Sequence, residues 1–226
     1  MMSTKSPLRE NIRALCLDWD LVITNWDETL SKKRADEIAM RLLKLKSMGF
    51  KIYVVSLANQ AHIKKMTIES KSEAFQEIFL AEDVIKLSID DRRHLVQMNH
   101  KRGESLPAMR KMIASVMGAT SLETSLLPDW IYGYKKSHAL EDVRNRMKIP
   151  PSDIVFLDDN IYNVLFARHM GFRGYLINNH PDISYLNLLS ILDWLIMIHS
   201  KQQGKRRSIL PPIEDTRIKK GTHSRK

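Results

Sequence analysis

The chain has 226 residues, 43% hydrophobic and 27% charged, with 36 Lys or Arg against 26 Asp or Glu and a formal charge of +10. That length is enough to bury one substantial core, and the composition excludes a collagen-like or Pro/Gly low-complexity chain. A single cysteine, Cys16, excludes an intramolecular disulfide framework and a Cys-rich zinc module, while the basic balance invites an anionic partner and says nothing about fold.

Charges at Lys5, Arg9, Glu10 and Arg13 precede any apolar run, and the run that follows is too short for a secretory signal. The chain reads as soluble and intracellular, cytoplasmic or nuclear. Between Arg13 and Leu17 the apolar run ALCL stops at Asp18-Trp19-Asp20. A short buried run that ends in polar groups suits a parallel strand delivering side chains to a site. From Ser31 to Met48 the residues Ala35, Ile38, Ala39, Leu42, Leu45 and Met48 recur at helical spacing, and Gly49 stands where a helix C-cap belongs. KIYVVSLAN predicts a second strand with a polar end at Ser56, and residues 77–81 (EIFLA) a third.

From about Asp83 to Leu127 the chain is polar, dotted with Met and weakly helical, with a break at Pro107. It reads as an inserted helical segment. Trp130, Tyr132 and Tyr134 alternate, which predicts a strand, and a helix follows from Ser137 to Met147 until Pro150-Pro151 stops it. DIVFLDDN is another apolar run ending in carboxylates. A helix then runs to Met170 before Gly171, and GYLI from Gly174 completes a fifth strand. Residues 183–200 are strongly apolar but interrupted by Asn187, Ser190 and Asp193, and short for a bilayer span. They predict a buried or partner-facing helix.

Residues 201–226 carry nine Lys or Arg against Glu214 and Asp215, so seven of the ten net charges lie there. A disordered basic tail is expected. Lys205-Arg206-Arg207, with Arg217 and Lys219-Lys220, suits a bipartite nuclear signal, a nucleic-acid tether or a solubilising segment. The domain itself spans 1–200, with the insertion at about 83–127. Strands alternating with helices predict an α/β fold, a Rossmann-like parallel sheet with helices on both faces.

Open parallel sheets bind ligands outside the carboxyl ends of their strands. Three predicted strands end there in functional groups: Asp18 and Asp20, Ser56, and Asp158 with Asp159. Lys135 and Lys136 lie just before the helix that leads to the last pair. Converging carboxylates repel one another unless a cation such as Mg2+ sits among them, and a hydroxyl and a lysine on the same rim suit a phosphoryl group.

The order and spacing resemble the haloacid dehalogenase (HAD) superfamily. LCLDWDLVIT, with Asp18, Asp20 and Val22, resembles its first motif; VVS, ending at Ser56, the second; Lys136 the third; and IVFLDDNIYN, with Asp158-Asp159 and Asn163, the fourth. The resemblance covers roughly residues 12–60 and 128–178, and IPPSDIVFLDDN looks most like the small-capped, magnesium-dependent phosphatase group. It implies a Mg2+-dependent phosphohydrolase in which Asp18 attacks phosphorus and forms an aspartyl-phosphate. Asp20 would act as general acid and then general base. Ser56, Asn59 and Lys136 would bind the phosphoryl oxygens. Asp18, Asp20 through its backbone carbonyl, Asp158 and Asp159 would hold Mg2+.

Three positions depart from the pattern or leave it open. Leu21 replaces a residue that is often small, Asn163 stands where many relatives carry a carboxylate, and Lys135 competes with Lys136 for the lysine role.

Taken singly, each motif is ordinary: Asp-x-Asp can cap a turn, and Asp158-Asp159 can cap a helix. Their coincidence carries the reading. A Cys-x5-Arg phosphatase would need Arg at the position of Val22, so Cys16 is expected in the core. The histidines show no His-x-x-x-His spacing and none is assigned to a metal. The expected substrate is a phosphoprotein or nucleic-acid phosphate, which Lys101, Arg102, Arg110 and Lys111 of the insertion would greet. The alternatives are a small-metabolite phosphatase and a non-catalytic basic scaffold in a nucleoprotein assembly.

Overall fold

A computed structural model describes residues 11–24, 30–58, 60–81, 84–88, 127–177 and 181–207; for 85–88, 127–135, 181–182 and 202–207 the backbone alone is described. Five strands form one fully parallel sheet: β1 (Ala14–Leu17), β2 (Lys51–Ser56), β3 (Ile85–Ser88), β4 (Ile154–Asp158) and β5 (Arg173–Leu176). Their order is β3-β2-β1-β4-β5. Among the described residues six helices accompany them: α1 (Lys32–Ser47), α2 (Gln60–Glu69), α3 (Glu73–Phe79), α4 (Leu127–Met147), α5 (Ile161–His169) and α6 (Pro181–Arg207), with a 3-10 turn at Pro151–Asp153. The chain is therefore α/β, with helices on both faces of the sheet.

β1 and β4 are buried along their whole length, as the central strands of a covered parallel sheet must be. Alternate residues feed two cores. Leu15 and Leu17 of β1 and Val155 and Leu157 of β4 pack with apolar residues of α1, α2, α3 and α6. Ala14, Cys16, Ile154 and Phe156 face Ala139, Leu140 and Val143 of α4 and Ala167 of α5. Cys16 is fully buried, and burial pushes its thiol pKa up.

α1 begins where Ser31 Oγ accepts from Arg34 N and ends at Gly49, whose φ of +94° is the left-handed conformation that closes a helix. Between them Ala35, Ile38, Ala39, Leu42 and Leu45 form the buried stripe. At Gly174 the reason for glycine is close approach: a Cβ there would lie 3.0 Å from the Val164 carbonyl oxygen of α5.

Three expectations are overturned. Residues 77–81 are no strand; Glu73–Phe79 is a helix, started by the Ser72 hydroxyl accepting from Phe75 N. Phe75, Ile78 and Phe79 recur at helical, not alternating, spacing and are buried. The third strand lies further on, at 85–88, inside the range expected for the insertion. Trp130, Tyr132 and Tyr134 stand in α4, which begins ten residues earlier than the expected helix. Leu127-Pro128-Asp129 is a helix start, because proline costs no intrahelical bond in the first turn and an acid is favoured there. Finally, α6 continues to Arg207, so residues 201–207 are helical and not part of a disordered tail. The rest of the insertion, 89–126, and of the tail, 208–226, lies outside the described residues.

α6 packs beside α1. Arg41 of α1 grips Asp193 of α6 through two bonds of 2.9 and 3.1 Å, and Tyr185 donates to Glu37 while the Arg34 guanidinium sits 4.8 Å from the Tyr185 ring centre. Leu188, Leu192 and Leu195 turn inward. By length and composition, Ile183–Lys201 is apolar enough to cross a membrane; here it lies along the domain with one face buried.

A carboxylate cluster at the strand switch point

The sheet order reverses at β1: the chain proceeds from β1 outward to β2 and β3, then crosses to β4 on the other side. The crevice at the carboxyl ends of β1 and β4 is where ligands of such sheets bind. The two strands run in register, Leu17 beside Leu157, and Asp18 N donates to the Leu157 carbonyl at 2.9 Å. Side chains alternate along a strand, so Asp18 follows Ala14 and Cys16, and Asp158 follows Ile154 and Phe156, onto the face covered by α4 and α5. Lys136 reaches the same point from α4. Its Nζ lies 2.6 Å from Asp18 Oδ2 and 2.7 Å from Asp158 Oδ2, and all three side chains are buried. Of the two candidate lysines, Lys136 stands against the carboxylates, and the Lys135 side chain lies outside what is described.

Asp158 is held on every side. Its Oδ1 accepts from Asn160 N at 2.9 Å and from Asn163 Nδ2 at 2.7 Å. Asn160 also caps α5, its side chain accepting from Tyr162 N. Asn163 is thus a buried donor that fixes the orientation of Asp158. Asp159, half-buried, completes the group: ligand oxygens of Asp18, Asp158 and Asp159 lie within 4.8 Å of one another.

The electrostatics of this arrangement are unbalanced. Burial raises the Asp158 pKa, against the pull of Lys136, and the neighbouring Asp18 raises it further. Asp159 is pushed up to about 6, first by burial and then by Asp18. Burial alone would lower Lys136, but Asp158 and Asp18 outweigh it and hold the ammonium charged. Three carboxylates around one ammonium leave an excess of two negative charges when all are ionised, which one divalent cation neutralises. Hard oxygen donors are the ligand type that Mg2+ takes. The donor set, the spacing and the charge excess fit that ion.

Between Asp18 and Asp20 the chain makes a tight turn. Trp19 N donates to Asp18 Oδ1 at 2.8 Å, while the Trp19 carbonyl accepts from Ile23 N at 2.9 Å and Thr24 N at 3.0 Å. The Trp19 ring is fully buried, 6.1 Å from Phe75 and 5.3 Å from Phe79 between ring centres, and ties the turn to α3. Leu21 follows with φ of +58°, a left-handed conformation costly for a bulky side chain. The Asp20 carboxylate lies outside the three-carboxylate group and stands 3.8 Å from His62 Nε2 of α2, with 30% of its side chain exposed.

Ser56 is buried at the end of β2, where its hydroxyl accepts from Ala58 N at 3.1 Å. The structure does not join it to the carboxylates. Asn59 lies outside the described residues. Sequence patterning overlooked His62, since a lone histidine without metal spacing gives no signal; only the start of α2 at the carboxyl edge of the sheet brings it to Asp20.

No protein-family model matches the chain, and no curated protein does. Similar solved structures include an uncharacterized protein from Corynebacterium glutamicum ATCC 13032 Kitasato, 16% identical over 80% of this chain and 96% of that one, with a TM-score of 0.39. A HAD family enzyme from Bacteroides thetaiotaomicron in complex with magnesium is 12% identical over 78% of this chain and 98% of that one, at a TM-score of 0.41. The same enzyme with magnesium and inorganic phosphate gives 14%, 77%, 98% and 0.39. These are distant likenesses of chain path, and the chemistry rests on the residues of this chain.

Proposed function

We propose that this chain is a Mg2+-dependent phosphohydrolase of the haloacid dehalogenase type that works through an aspartyl-phosphate on Asp18. The observation that carries the reading is the convergence of Asp18, Asp158 and Asp159 within 4.8 Å at the switch point, with Lys136 bonded to two of them. Asp18, Asp159 and Asp158, with the backbone carbonyl of Asp20, would hold Mg2+. Bound there, the ion supplies charge neutralisation for phosphoryl oxygens and for the crowded carboxylates.

The residues divide the work by position. Asp18 leaves β1 at the rim and attacks phosphorus with a carboxylate oxygen, forming the Asp18–phosphate bond as the bond to the leaving oxygen breaks. Asp20, partly exposed at the mouth, gives its proton to that leaving oxygen. It then takes a proton from the water that hydrolyses the aspartyl-phosphate and restores Asp18. Lys136 holds a permanent positive charge beside Asp18, where non-bridging oxygens gain negative charge in both steps. Asn163, Asn160 and Trp19 hold the carboxylates in place. Ser56 and Asn59 complete the phosphate-binding set.

The substrate of this reading is a phosphorylated protein or nucleic-acid end, a choice that rests on Lys101, Arg102, Arg110 and Lys111 of the insertion and on the basic residues of 201–226, which attract anionic macromolecules. A scaffold without catalysis has no physical need to bury a lysine between two carboxylates. The test is phosphate release from a chromogenic phosphoester by the full chain with Mg2+, abolished in Asp18→Asn. A wild type inert toward phosphopeptides, nucleotides and sugar phosphates alike would sink the reading. A higher kcat/KM for small metabolite phosphates than for phosphopeptides and oligonucleotides would replace the macromolecular substrate with a small one.

A further inference from the structure

α1 and α6 lie side by side on one face of the sheet, and each carries large apolar residues on its outward side. On α1, Lys33, Met40 and Lys44 follow one another at spacings of seven and four, all exposed. On α6, Leu186, Met197 and Lys201 fall on one stripe and are also exposed. Met40 is 68% exposed, Leu186 61% and Met197 46%. Among the described residues, Met40 and Leu186 are the two most exposed large apolar side chains.

The charges on this face say what kind. The described carboxylates of the two helices are all engaged: Asp36 with Lys32 and Ser72, Glu37 with Tyr185, Asp193 with Arg41. Among the described residues no carboxylate pairs with Lys33, Lys44 or Lys201. The face therefore offers, among the described residues, apolar side chains together with lysines that no carboxylate compensates. A nucleic-acid backbone would satisfy the lysines and leave the methionines and leucine in water. A second copy would set lysine against lysine. Lysines that lie along an apolar stripe with their heads free suit an interface where acyl chains sit beneath anionic headgroups. α6 then continues through Lys205, Arg206 and Arg207, a basic end beside an apolar helix, which is how segments held at anionic bilayers are built.

We propose that the outward face of α1 and α6 docks on an anionic lipid surface, with Met40, Leu186 and Met197 entering the headgroup region and Lys33, Lys44 and Lys201 meeting its charge. This stands apart from the catalytic reading, because the face is built from helix surfaces and uses none of the carboxylate cluster.

The experiment is co-sedimentation of the full chain with phosphatidylcholine vesicles, with and without phosphatidylserine. Three proteins are compared: wild type, Leu186→Glu/Met197→Glu, and Lys33→Gln/Lys44→Gln/Lys201→Gln. Wild type should sediment with the phosphatidylserine vesicles only. Each variant set should weaken binding about tenfold or more while the thermal unfolding midpoint stays put. Vesicle binding that salt removes but Leu186→Glu/Met197→Glu leaves intact would overturn the proposal, since charge elsewhere on the chain would then explain it. So would retention on a single- or double-stranded oligonucleotide with no vesicle binding. A dimer in sedimentation velocity that the apolar variants dissolve, without vesicle binding, would hand the face to a second copy. Absence of binding to vesicles of either composition would overturn it outright.

Discussion

Asp18 and Asp158 leave neighbouring strands and close on one ammonium, with Lys136 Nζ 2.6 Å from the first and 2.7 Å from the second. Neither carboxylate has solvent to fall back on. The lysine is what allows two such groups to share a buried rim before any metal arrives, and Asp159, beside them, is what keeps the site short of positive charge.

Lys136→Met should therefore cost both stability and rate. Removing one member of a buried ion cluster leaves uncompensated charge, which costs about 3 kcal/mol. Urea unfolding of the metal-free protein measures this. Mg2+ should restore part of the loss, because it supplies the missing positive charge to the same carboxylates. Phosphate release should fall about a hundredfold or more even with saturating Mg2+, since the transition-state oxygens have lost a fixed cation. Full activity in Lys136→Met would show that the lysine serves the fold alone.

Asp20→Asn separates proton transfer from nucleophilic attack. If Asp20 protonates the leaving oxygen, its loss should hurt esters with basic leaving groups most, by about a hundredfold or more, and esters of acidic phenols much less in the first step. Rapid-quench measurement of the burst with both ester types reads the difference. Equal losses for the two would remove Asp20 from the acid role. The 3.8 Å approach of His62 to the Asp20 carboxylate makes His62→Ala a milder companion, expected to lower kcat less than Asp20→Asn does.

The strands that carry the site were legible because their signals are local. ALCL before Asp18 and IVFL before Asp158 are buried on both faces, and each ends in the charge it delivers. The helices misled where alternation and helical spacing overlap. Ile78 and Phe79 read as a strand when only 77–81 is viewed, although Ser72 had already begun a helix. Trp130, Tyr132 and Tyr134 alternate, yet Trp130 and Tyr134 are also one helical turn apart. Local pattern left Lys135 and Lys136 as rivals, because the burial of Lys136 between two carboxylates is a property of α4 packing across the sheet. The links from His62 to Asp20 and from Trp19 to α3 are long-range in the same way, and no local pattern encodes them.

The carboxylate cluster also sets a pH signature. Asp159 rises from its ordinary 3.8 to about 6 in the folded protein, and Asp158 rises as well. Between pH 4 and pH 6 the native state then binds more protons than the unfolded one, so these groups make the metal-free protein less stable as pH rises through that window. Mg2+ held by the ionised forms would reverse the trend. The rise in thermal midpoint produced by Mg2+ should be small near pH 4, grow through pH 6 and pH 7 and level off above that. Differential scanning fluorimetry with and without Mg2+ measures this. A Mg2+ effect that does not change with pH would place the ion away from Asp158 and Asp159.

Leu21 offers a test of strain next to the site. With φ of +58° and only 8% exposure, it combines an unfavourable backbone with a buried side chain. Truncation to alanine removes the packing and keeps the backbone penalty; truncation to glycine removes both. Leu21→Gly should therefore be the more stable of the two by about 1 kcal/mol, the reverse of the usual order. Leu21→Ala should fall below wild type by the value of the lost side chain, about 2 kcal/mol or more, and Leu21→Gly by about 1 kcal/mol less. Denaturant titration of the pair gives the difference directly. If the alanine variant is the more stable, the turn has moved out of the left-handed region, and kcat should fall with it because Asp20 is the residue before. An unchanged kcat in Leu21→Gly would show that the turn is held by Trp19, whose carbonyl takes the bonds from Ile23 and Thr24.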